Sequence, residues 1–139
     1  MVPITPSLGC AFFNQLSYRF VDPPPGRDAA VELDVTDDLR GPGGSVHAGI
    51  ITLLTDIAGA MAVASLTGRV TATAAVSVHN LAAARVGPLV ATASMLRAGR
   101  ANALADVKVV DAGADDRLVA AGHVTIAFLP GESYEMPRG

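Results

Sequence analysis

Residues 48–66 read AGIITLLTDIAGAMAVASL, nineteen positions with no proline and one charge, Asp56. Gly41-Pro42-Gly43-Gly44-Ser45 just before it breaks regular structure, and the apolar spacing then continues for about five turns, which predicts one long helix. The stretch is nearly long enough to cross a bilayer. Asp56 near its middle would cost roughly 2.5–3.5 kcal/mol there, and much of the remaining apolarity is weak Ala and Gly, so a buried helix of a soluble protein is the better reading.

Outward from the helix, the pattern changes from helical spacing to partial alternation. Residues 70–80, 88–97, 103–111 and 117–129 are rich in Val, Ala and Leu and are separated by Gly87, Ala98-Gly99-Arg100 and Ala112-Gly113, so they read as four strands joined by short turns. On the N-terminal side, Val31, Leu33 and Val35 alternate with Glu32 and Asp34, the pattern of a half-buried strand. DPPPGRD at 22–28 is turn chemistry ahead of it. Residues 1–20 are expected to form an N-terminal arm or short helix, residues 21–131 the folded domain, and residues 132–139 a tail. The order is strand, helix, four strands, and its natural solution is an α+β fold: an antiparallel sheet of about five to six strands wrapped around one long central helix. Such a sheet has an unguarded edge, since the sequence lacks edge lysines, and oligomerisation would cover it.

Composition narrows the function. The chain has 139 residues, enough for one core, and 50% hydrophobic against 17% charged residues offsets the chain entropy of folding. A net charge of −3 without a Lys/Arg cluster leaves little to neutralise a polyphosphate backbone, so no nucleic-acid partner is expected. The single cysteine, Cys10, excludes an intramolecular disulfide and a multi-cysteine zinc site. With no positively charged or continuously apolar leader in MVPITPSLGC, the expected location is the cytoplasm.

Two positions stand out for chemistry. Asp56 sits mid-helix, where Asp has poor propensity, among Ile50, Ile51, Leu53, Leu54, Ile57, Ala58 and Met61. Thr52, Thr55, Asp56, Gly59 and Val63 share a helical stripe that is either a solvent face or, being built of small residues, a surface for close packing against another subunit. His47 precedes the helix, where unpaired N–H groups face an electron-rich ligand, and is otherwise a loop residue or cap. Glycines 41, 43, 44 and 49 spell neither GxxxxGK[ST] nor GxGxxG, so no nucleotide phosphate loop is present.

His47-Ala48-Gly49, with Asp56 nine residues after the histidine, resembles the HGG-x6-D signature of the hotdog-fold thioesterases of the PaaI-like (phenylacetate-degradation, 4-hydroxybenzoyl-CoA thioesterase) superfamily. Residues 70–87 are similar to that family's VT-x-x-L-x-V strand, and Leu96-Arg97-Ala98-Gly99-Arg100 and Leu118-Val119-Ala120 to its R-x-G-R and LVA segments. The four blocks occur in order over about residues 40–129.

The resemblance implies hydrolysis of an acyl-CoA thioester, aryl, phenylacetyl or medium-chain, by an enzyme without cofactor or metal. Its minimal unit would be a homodimer, with a homotetramer expected. It assigns Asp56 as general base or nucleophile, Thr73 as the hydroxyl that holds water, and the Ala48 amide in the His47-Ala48-Gly49 turn as oxyanion donor, with Asp56 contributed by the neighbouring subunit. Arg85, Arg97 and Arg100 are the cations available for the CoA phosphates. The sequence departs from the pattern at Ala48, at Gly41 where many members have Asn, and at Asn80-Leu81-Ala82-Ala83, which lacks an aromatic and a proline. A non-catalytic acyl-CoA binding module is the alternative, and a dehydratase of the same fold matches less well.

Overall fold

The computed structural model describes residue 12 and residues 15–131. Along the chain run β1 (Tyr18–Val21), β2 (Ala29–Leu33), α1 (Ala48–Thr67), β3 (Thr71–Asn80), β4 (Leu89–Ala98), β5 (Asn102–Asp111) and β6 (Arg117–Phe128). The strands form one antiparallel sheet in the order β1-β2-β4-β5-β6-β3, and α1 lies across its inner face. This is the hotdog arrangement. The helix and the four strands after it fall within two residues of their expected bounds.

Helix α1 is long and apolar enough to cross a bilayer, yet Ile51, Leu54, Ala58, Ala62 and Val63 are all buried within this chain. They meet alternate residues of the sheet: Leu89, Ala91 and Ala93 of β4, Ala105, Val107 and Val109 of β5, and Val124 and Ile126 of β6. Because so many of these are alanines, the helix settles close to the strands. The helix stops at Gly68, whose left-handed φ of 64° lets its N–H reach the Ala64 carbonyl at 2.8 Å.

Three expectations need correction. Residues 18–20, expected in an arm or short helix, belong to strand β1, which pairs with β2 from Tyr18↔Leu33 to Val21↔Ala30; the rest of the expected arm, residues 1–11, 13 and 14, lies outside the described residues, as does the tail at 132–139. The DPPPGRD turn therefore closes a hairpin instead of preceding the first strand. The strand expected to reach Val35 ends at Leu33, and Val35 instead packs under Gly87, where a Cβ would lie 2.6 Å from its Cγ2.

The third correction concerns the helix stripe. Thr55, Gly59 and Val63 face this chain's own sheet, neither solvent nor a second subunit. Thr55 can be buried because its hydroxyl donates to the Ile51 carbonyl at 2.9 Å, and Gly59 is required because a Cβ there would meet Val124 Cγ2 at 2.6 Å. Of the stripe, Thr52 and Asp56 alone remain partly exposed.

Strands β6 and β3 approach closely at Gly122, where a Cβ would sit 2.2 Å from the Ser77 carbonyl oxygen. That neighbour is backbone and cannot rotate away. Gly122→Ala is therefore expected to destabilise the fold by about 3 kcal/mol, a fall in Tm of roughly 10 °C by calorimetry. An unchanged Tm would show that β3 can withdraw freely from β6.

Candidate active site

The start of α1 is built by His47. Its backbone is extended (φ −59°, ψ 136°), and its Nδ1 accepts the Gly49 N–H at 2.9 Å, so the side chain caps the helix. Gly49 permits this because a Cβ there would lie 3.1 Å from that nitrogen. The His47 carbonyl accepts the Ile50 N–H at 2.9 Å. With the Gly49 and Ile50 amides engaged, the exposed Ala48 N–H has no partner among the described residues and stands at the positive end of the helix dipole.

Two turns on, Asp56 Oδ1 accepts a hydrogen bond from Thr73 Oγ1 at 2.6 Å, so the structure brings these two site candidates together. A bulge places the threonine. The register of β3 on β6 shifts between Thr73 and Ala75, so Thr71 and Thr73 face the helix before the bulge, as Val76 and Val78 do after it. Thr52, the other donor near Asp56, gives its proton to the Ala48 carbonyl at 3.1 Å.

Clefts flank His47 on both sides. One, of about 460 Å³, is lined by Gly41, Ser45, Ala48, Asn80 and Ala82–84, so the segment that departs from the family pattern forms its wall. The other, of about 490 Å³, lies between Leu39, Arg40, Ile50 and Leu53. Arg85 follows the first wall, with Nη1 donating to the Gly43 carbonyl at 3.2 Å. Arg97 and Arg100 are elsewhere: Arg97 lies near the far end of the ten-residue strand β4 and Arg100 in the turn after it, about 30 Å away at the usual rise per residue. One chain does not assemble the three arginines into a single patch. Among the described residues, no group of three or more His, Cys, Asp or Glu is placed to hold a metal ion.

Two residues that the sequence reading passed over shape this site. Asp111, wholly buried, accepts the N–H groups of Arg85 and Val86 on Oδ2 at 2.9 and 3.1 Å and that of Gly87 on Oδ1 at 2.7 Å. Burial pushes this carboxyl up, but hydrogen bonds from those three amides and from Gly113 outweigh it and hold Asp111 below the ordinary Asp value. Its contribution to stability is thus complete above the ordinary Asp pKa and is lost as the pH falls through the lowered one. Arg40 is the second: its Nη1 donates to the Gly44 carbonyl at 2.8 Å and to the Arg85 carbonyl at 2.7 Å. The signal for Asp111 was available, since 103, 105, 107, 109 and 111 keep one alternation and so place this carboxylate on the buried face.

The six-stranded antiparallel sheet and the single long helix packed on it define a hotdog fold. The thioesterase superfamily matches residues 43–125, and the chain belongs to it. Among solved structures, AziG of S. sahachiroi is 30% identical, with 82% of this chain and 92% of that one covered and a TM-score of 0.70. The PaaI protein of the E. coli phenylacetic acid degradation operon shares the fold at 23% identity, with coverage of 91% and 89% and a TM-score of 0.78. A hypothetical thioesterase from Streptococcus pneumoniae, solved with coenzyme A, shares it at 23% identity, 84% and 88% coverage and a TM-score of 0.73. No curated protein matches the chain.

Proposed function

We propose that this protein hydrolyses the thioester of an acyl-CoA to the free acid and CoA. The observation that carries the reading is the Asp56–Thr73 pair on the helix whose start presents the free Ala48 N–H. Asp56 acts as general base for water or as nucleophile, and Thr73 holds the carboxylate in place and orients the water. The Ala48 amide polarises the thioester carbonyl and stabilises the oxyanion that forms. The thioesterase relative solved with coenzyme A supports CoA as the carrier.

Geometry favours a site shared between two chains. Ala48 and Asp56 are eight residues apart on one helix, about 12 Å at the helical rise, so one thioester carbon cannot lie about 3 Å from both within a chain. Strand β3 is a sheet edge, paired on one side by β6, and it carries Thr73 at one end and Asn80 at the other. Antiparallel pairing of two such edges sets the Thr73 and Asp56 of one protomer beside the Asn80 cleft and Ala48 of its partner. The same two-fold carries the distant Arg97 and Arg100 toward the partner's cleft, where they and Arg85 become available to the CoA phosphates.

The test is a panel of acyl-CoA thioesters of aryl, phenylacetyl and medium-chain type, followed by thiol release, with the mass of the protein measured by light scattering. At least one thioester is expected to turn over, and the particle is expected to be a dimer or a pair of dimers. Tight binding of CoA esters that all stay intact would favour the non-catalytic binding module, and a monomer at micromolar concentration would remove the shared site.

A further inference from the structure

The wall of the cleft and the start of the helix are held by one buried carboxylate. We infer that Asp111 is a positioning residue for the Ala48 donor, acting through the loop at residues 84–87 rather than by touching substrate. The inference rests on the thioesterase reading for its kinetic consequence and on geometry alone for the positioning itself.

The path is continuous. Asp111 gathers three successive backbone N–H groups, those of Arg85, Val86 and Gly87, at 2.7–3.1 Å. The residue just before them, Ala84, accepts the Val46 N–H on its carbonyl at 2.8 Å, and the next residues after Val46 are His47 and Ala48. Arg40 adds a second strap, joining the Arg85 carbonyl to the Gly44 carbonyl, and Arg85 itself reaches the Gly43 carbonyl. The His47 N–H is in turn fixed on the Leu39 carbonyl at 2.9 Å. The segment that delivers the Ala48 amide is thus bonded on both sides to backbone that Asp111 and Arg40 hold.

A packing role alone does not explain a charge at this position. Asp111 is wholly buried and has no cationic partner among the described residues; backbone amides alone compensate its charge. An apolar side chain of similar shape fills space without leaving a charge to be compensated, whereas a carboxylate with both oxygens engaged fixes the direction of three consecutive peptides. The neighbouring turn is as tightly fitted: a Cβ on Gly113 would lie 2.1 Å from the Gly87 carbonyl oxygen. The loop has little room to shift by itself. A misplacement of about 1 Å at a donor of this kind costs up to a hundredfold in rate.

Asp111→Asn keeps the shape but turns an NH2 toward an N–H donor. The expected result is a folded protein whose kcat falls roughly ten- to a hundredfold with KM changed far less, because the loop holds a transition-state donor. Amide hydrogen exchange over residues 46–51 should rise, while residues 54–64 of the same helix keep their protection. Arg40→Gln severs the second strap without disturbing the buried carboxylate, and should produce the same pattern in weaker form; it carries the test if Asp111→Asn does not fold. Unchanged exchange at 46–51 and unchanged kcat in a folded Asp111→Asn, or in Arg40→Gln if that variant alone folds, overturns the inference. Exchange needs no substrate. Raised exchange at 46–51 in a protein whose wild type cleaves no thioester would support the positioning while rejecting the hydrolase reading.

Discussion

Asp56→Asn is expected to lower kcat on the best thioester by roughly 10² to 10⁴ while leaving substrate binding nearly unchanged. Asn keeps the volume of the side chain, and its Oδ1 still accepts the hydrogen bond that Thr73 Oγ1 gives to Asp56 at 2.6 Å, so helix and bulge stay as they are. What is lost is the negative charge, and with it both basicity and nucleophilicity. Thr73→Ala should cost less, since the hydroxyl orients the carboxylate and water without accepting the proton. Steady-state kinetics on the three proteins separates these effects. Wild-type turnover in Asp56→Asn would remove the carboxylate mechanism.

Ala48→Pro is the second large effect, and it isolates a single backbone hydrogen. Proline has no N–H, so the variant deletes the donor at the start of α1 that has no partner among the described residues. The fold should tolerate it: Ala48 is the first helical residue, where proline's fixed φ is favourable, and His47 before it already has the extended backbone that a following proline demands. If the Ala48 amide is the oxyanion donor proposed above, its loss is expected to lower kcat by roughly 10² to 10³, with Tm unchanged. A folded Ala48→Pro enzyme with full activity would mean that the oxyanion is stabilised elsewhere.

The helix and the four strands after it were legible because glycine and proline punctuate them and nothing inside them conflicts with their period. Strand β1 was not, because Tyr18–Val21 is four residues long and its pairing with β2 depends on a hairpin that the consecutive prolines close. The stripe on α1 misled for a different reason. Polarity by residue type does not show that Thr55 satisfies its hydroxyl on its own helix, or that Gly59 leaves room for Val124. Thr73 was assigned through a resemblance, and alternation alone would have set it off the face shared by Val76 and Val78, since the bulge shifts the phase between them. The pairing of Asp56 with Thr73 is therefore a finding of the fold. The tie from Asp111 to residues 85–87 crosses from the end of β5 to the loop before β4, a contact that no local pattern contains.

The proposed shared site makes a demand that no site within one chain can meet. Asp56→Asn and Ala48→Pro protomers, each expected to be a hundredfold or more slower than wild type by itself, are mixed under conditions that exchange subunits, and thioester hydrolysis is followed. In the mixed dimer one site combines the intact Asp56 of one chain with the intact Ala48 amide of the other, so turnover returns to a substantial fraction of wild type. Mixed dimers that form, as shown by native mass spectrometry, and stay as slow as their parents would contradict the account.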